Sequence, residues 1–213
     1  IVRLIFLSIL LIVLIKIRRK PDVLQDNALI GVSLFLYVSY AVGDLYWFLP
    51  PLLLLILYSR IIPFEYDVAR KKYSFETVLA VIAPGLFWLL MYRSQELPEL
   101  FYPYVFTFAA SLAVIWLARI KNNGRPESMV MALIQAVALP AAFLVGIICF
   151  FSGSAHCYRQ SGIIVVALFA TCIAVWVRRD EGFESEARNW NWAYRGCWVM
   201  IFSVVVYLVL GPE

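Results

Sequence analysis

Charged residues in this sequence come in short clusters, and between the clusters run apolar tracts of about 16 to 24 residues. A helix needs about 20 residues to cross the ~30 Å hydrocarbon layer of a bilayer, and somewhat shorter ones pass where the bilayer thins. Strands of a transmembrane barrel would instead alternate polar and apolar residues. Segments 4–15 and 163–170 show no such alternation. Hydrophobic residues make up 63% of the 213, where a soluble domain holds about 45–50%. The excess belongs to spans. The sequence therefore predicts an all-α fold, a polytopic integral membrane bundle of about eight transmembrane helices. It reads as a single transmembrane domain over 1–213, since no repeat of 20–50 residues and no linker divides it.

Eight spans are predicted, over 1–17, 28–46, 49–64, 74–92, 100–118, 128–151, 162–177 and 192–210. A single helix over 28–64 would be about 55 Å long, too long for one crossing. A tight turn is expected instead, with Pro50 and Pro51 in the first turn of the third span, where a missing N–H costs nothing. Ser74 N-caps the fourth span with Glu76 in its first turn. Pro84-Gly85 and Pro140 are expected to kink spans four and six. Residues 178–191, charged and followed by Trp192, predict a short helix lying in the interface. The chain starts at Ile1 rather than Met, so residues are expected before it. Segment 1–15 is then a mature span or the remnant of a signal segment.

Charge placement tests the count independently. Fifteen of the 18 Lys and Arg, among them Lys20, Lys71, Lys121 and Arg195, fall in the loops following spans one, three, five and seven. The opposite loops hold Arg93 and Arg159 alone, and Arg3 begins the chain. Such asymmetry follows the positive-inside rule, so both ends of the given chain are predicted to face away from the cytosol. Because the basic residues sit at helix ends, the net charge of +4 reads as headgroup anchoring. Membrane lipids are the expected partners, with other membrane-protein subunits a further class and no nucleic acid. The setting is an endomembrane or a bacterial inner membrane.

Asp44 is the one acid placed within reach of a span, in Val42-Gly43-Asp44-Leu45-Tyr46-Trp47. It is either a carboxylate facing a bundle cavity, a functional candidate, or a residue of the outer turn, solvated or capping the Pro-Pro helix. His156, the single histidine, falls on the same predicted side, as do Arg93, Glu96 and Glu99. The candidate catalytic pair is Asp44 and His156, with Asp44 orienting His156 as a general base; the plainer reading of His156 is a loop residue. One histidine gives no haem pair and no catalytic zinc site built on two or three, so no cofactor or metal is expected. Ser152-Gly153-Ser154 lacks the later-span histidine that an intramembrane serine protease needs. Cys149 and Cys157 are either free or paired across an oxidising outer side. Gln135, Tyr37, Ser39 and Tyr40 are polar positions inside spans and read as packing devices before a substrate path.

The segment from Leu36 to Trp47, with Gly43-Asp44 at its centre, resembles the Gly-Asp helix of the lysoplasmalogenase-like (YhhN) membrane proteins. The order of spans through Tyr102-Pro103-Tyr104-Val105 is compatible with that family. The resemblance implies an eight-span lipid-directed hydrolase that cleaves the vinyl-ether bond of lysoplasmalogens, with Asp44 as an acid/base residue. The family's second Asp, in a late Ser-Asp pair, has no counterpart in 128–177, which is acid-free, so an inactive relative belongs to the same reading. The alternatives are a non-enzymatic structural or assembly subunit of a membrane complex, or a small-molecule transporter.

Overall fold

In lipid a backbone amide finds no water, so a spanning chain must satisfy its own N–H and C=O groups, which a helix does. The computed structural model describes residues 12, 26–61, 75–122, 128–152, 154–177 and 185–210, and among these every long element is an α-helix. They are α1 (Asp26–Ile61), α2 (Phe75–Gln95), a 3₁₀ turn (Pro98–Leu100), α3 (Phe101–Asn122), α4 (Met129–Ser152), α5 (Ser154–Val177) and α6 (Ser185–Leu210). Among the described residues six helices, not eight, are long and apolar enough to cross a membrane. The first expected span lies outside the described residues, except for helical Ile12. The second and third fall in the one element α1. By contacts the chain divides into two units, 1–79 and 80–213.

In the first unit α1 is helical from end to end except at Asp44, whose φ is 63° and ψ −164°. Leu36 nevertheless shares one buried cluster with Phe48 and Leu55, against which Val32, Tyr40 and Leu52 pack. In a straight helix Leu36 and Phe48 would stand about 18 Å apart along the axis. The Tyr40 and Phe48 rings meet edge to face, 6.3 Å between centroids. The chain therefore reverses at Asp44, and the halves 26–43 and 45–61 form a helical hairpin. Each half, at about 1.5 Å per residue, is roughly 26 Å long. The reversal comes before Leu45, so Pro50 and Pro51 sit inside the second half rather than in its first turn.

In the second unit α3 is the central helix. It packs against α4, α5 and α6, and 83% of its apolar window is buried, against 17% for that of α6. Hydroxyl groups inside the helices bond to carbonyls of their own helix: Thr107 to Tyr104 at 2.7 Å, Thr171 to Ala167 at 2.8 Å and Ser203 to Met200 at 2.7 Å. A polar bond joins two helices where Trp88 Nε1 of α2 donates to Ser203 Oγ of α6 at 2.8 Å. Apolar burial drives little helix association in lipid, so such a bond and close packing carry it. Ser128 caps α4, its Oγ accepting the Met131 N–H at 3.2 Å.

Helices α2 and α4 both continue through their prolines, Pro84 and Pro140. Pro84 has no N–H for the carbonyl of Ala80, four residues earlier. Gly196 of α6 lies against that carbonyl so closely that a Cβ on it would stand 2.7 Å from the oxygen. This is the approach from which a Cα–H donates weakly to an orphaned acceptor. Two further expectations are corrected here. Ser154–Arg159 is helical, so α5 begins near residue 154 rather than 162. Helix α6 runs unbroken from Ser185, and Trp192 is buried in it, in place of a separate interfacial helix over the described part of 178–191.

Gly196→Ala is expected to push α6 off α2, because the obstructing atom belongs to backbone and cannot turn aside. Thermal unfolding in detergent should show a loss of about 1–3 kcal/mol, the usual cost of overpacking. An unchanged midpoint would contradict the close approach.

Candidate functional site

Asp44 stands at the tip of the α1 hairpin with its side chain exposed. Its backbone lies in a region that is essentially reserved for glycine, because a Cβ there crowds its own peptide. The preceding glycine is needed for a different reason. A Cβ on Gly43 would lie 2.2 Å from Cγ of Trp47, so the buried Trp47 ring closes over Gly43 and only a bare Cα fits beneath it. The Gly-Asp dipeptide is thus the device that reverses the helix. Leu45 and Tyr46, the next residues, are exposed.

Of the two alternatives for Asp44, the described residues place it in the turn. Among them its carboxylate makes no hydrogen bond and no ion pair, so it is exposed rather than capping the helix that follows. His156 belongs to the first turn of α5, not to a loop; its side chain lies outside the described residues. Asp44 and His156 fall in separate units.

The remaining partners named from sequence all lie near the turn between α2 and α3. Helix α2 ends with Glu96 in the left-handed region at φ 56°, its N–H donating to the Tyr92 carbonyl at 2.7 Å. This is a helix end that glycine usually occupies. Arg93 reaches Glu96 at 3.6 Å, both exposed, which makes a surface pair worth little. Tyr104 is fully buried and packed edge to face on Phe108, ring centroids 5.0 Å apart. Glu99 Oε2 and Gln160 Oε1 are buried acceptors without a hydrogen bond. No group of three or more His, Cys, Asp or Glu among the described residues is placed to hold a metal. Cys149 is disulfide-bonded, whereas Cys172 and Cys197 are free.

Sequence reasoning missed a second polar place. Arg195 was assigned to the last loop, but it lies inside the apolar window of α6, Asn191–Leu210. There it stacks over Trp192, 4.7 Å from the ring centre, and lines a narrow cleft with Ser111 and Val114 between α2, α3 and α6. The only signal available was an Arg three residues after a Trp at the start of an apolar tract.

Asp44→Gly should relieve the backbone strain, worth about 1–3 kcal/mol, at a cost of about 0.5–1 kcal/mol in chain entropy. A net gain on the order of 1 kcal/mol is expected in thermal unfolding; a loss would mean that the aspartate itself stabilises the turn. Comparison of the chain with family models, with curated proteins and with solved structures finds no match.

Proposed function

We propose that this chain is a multi-pass membrane protein that acts in the lipid phase, a lysoplasmalogenase-like hydrolase with Asp44 as its acid/base residue. The observation that carries the reading is the backbone of Asp44. An exposed acid occupies a conformation that glycine would take without strain, and strain of this kind gathers at functional sites. Cleavage of a vinyl ether needs an acid at the headgroup. A proton goes to the enol-ether carbon, water adds to the oxocarbenium ion formed, and the hemiacetal then breaks into an aldehyde and the free glycerol oxygen. A carboxyl group at a water-lipid boundary can give that first proton and take one back from the attacking water. His156 is the further titrating group that the sequence offers on the same predicted side.

Placement at the boundary has its own support. A helix break leaves up to four N–H and four C=O groups without helical partners, which hydrocarbon cannot satisfy. The break at Asp44 therefore belongs in headgroup water, so the two halves of α1 make two crossings. With α2 to α6 these make seven, and the eighth that the basic loops call for is the sequence's reading of 1–17, which apart from Ile12 lies outside the described residues. The bonded state of Cys149 at the end of α4 agrees with this orientation, since disulfides persist in oxidising compartments. That end lies opposite the basic loop before Met129.

A second reading, a non-catalytic subunit of a membrane complex, is favoured by Gln135. Its amide is exposed on α4 beside exposed Met131 and Ile134, about 9 Å along the axis from Met129. An amide at that depth finds its hydrogen bonds on a neighbouring helix.

Asp44→Asn keeps the shape and removes the titrating group. In proteoliposomes loaded with lysoplasmalogen it should lower aldehyde release by about 100-fold or more while the protein still folds. Absence of turnover in the unmodified protein, or loss of the variant from a membrane complex, would favour the subunit reading.

A further inference from the structure

Pro84 leaves the Ala80 carbonyl without its helical donor. The Cα–H of Gly196 approaches that oxygen, but such a contact is weaker than an N–H or O–H bond, and a carbonyl oxygen carries two lone pairs. Beside it runs the narrow cleft lined by Ala80 and Val81 of α2, Ser111 and Val114 of α3, and Arg195 and Gly196 of α6. All of these residues belong to the second unit. Ser111 is only 4% exposed. Ser33, Ser39, Thr107, Thr171 and Ser203 each donate to a carbonyl of their own helix. The Ser111 hydroxyl makes no hydrogen bond among the described residues. The room that the cleft leaves for the centre of a water molecule is about 10 Å³, enough for one water and for nothing larger.

We propose that this cleft binds a single ordered water, which donates to the Ala80 carbonyl and is held by the Ser111 hydroxyl. Cavities that stay dry are lined by apolar groups, whereas a buried water takes roughly two to four polar partners. Here the carbonyl is an acceptor, and the hydroxyl can donate to the water or accept from it. Within a membrane, backbone groups freed by a proline are satisfied in this way, by hydroxyl side chains and ordered waters of the neighbouring helices. Three residues share the work. Pro84 frees the acceptor, Ser111 supplies the hydroxyl, and Gly196 keeps the approach open, since a Cβ on it would stand 2.7 Å from the Ala80 oxygen. The water thereby ties α2 to the central helix α3. Arg195 is engaged on Trp192 and with a further partner, and the bridge does not call on it. Asp44 takes no part in this site.

Crystals of the full chain grown from a lipidic mesophase, diffracting well enough to show ordered water, test this directly. One density peak should stand within about 3.2 Å of both the Ala80 oxygen and Ser111 Oγ. Ser111→Ala should lose that peak and lower the thermal midpoint by about 2–4 °C. Pro84→Ala returns an N–H to the Ala80 carbonyl, so in that background Ser111→Ala should lower the midpoint much less. A cleft without the peak, or a peak that Ser111→Ala leaves in place, would overturn the proposal. Equal midpoint losses in the two backgrounds would overturn it as well, because Ser111 would then act independently of the proline. If Pro84→Ala does not fold, the peak and its loss in Ser111→Ala decide alone.

Discussion

The backbone's need for hydrogen bonds where no water reaches governs this protein. It explains why the described elements are helices and why Thr107, Thr171 and Ser203 turn their hydroxyls onto their own helix carbonyls. It also explains the exceptions. Pro84 leaves the Ala80 carbonyl without an N–H, and Gly196 comes close enough to cover it. Where α1 breaks altogether, at Asp44, no neighbouring glycine could satisfy a whole helix end, and the proposed boundary position supplies the water that could.

Two residues make that break, and their parts differ. Gly43 is there because Trp47 folds over it and leaves no room for a Cβ. Asp44 bears a backbone conformation that its own Cβ opposes. Packing explains the glycine and does not explain the aspartate. That difference is the basis for proposing chemistry at Asp44 and a structural role for Gly43, although the two share one motif.

Helicity and the places of most spans were legible, because apolar length and the prolines and charges at span ends are local properties. The Asp44 reversal was legible only within a few residues: Pro50-Pro51 is a strong helix-start signal, but the turn lies six residues before Pro50. The starts of α5 and α6 were not read correctly. Ser152-Gly153-Ser154 and the charged run before Trp192 look like loop composition, yet helix begins at Ser154 and at Ser185. Long amphiphilic helix ends carry polar residues beyond the bilayer without ceasing to be helical. The Arg195 cleft was illegible for a different reason. It needs three helices that are distant in sequence, and neither Ser111 nor Arg195 announces the other.

The central claim is that α1 is a hairpin rather than one long rod, since the proposed boundary position of Asp44 depends on it. Spin labels at Asn27 and Leu57, the ends of its apolar stretch, measure this directly by pulsed electron–electron resonance in nanodiscs. Packed antiparallel helices lie about 8–10 Å apart axis to axis, so allowing for the label arms the distance should be about 20 Å or less. A single maximum near 45 Å, the length of about 30 residues of continuous helix, would contradict the account.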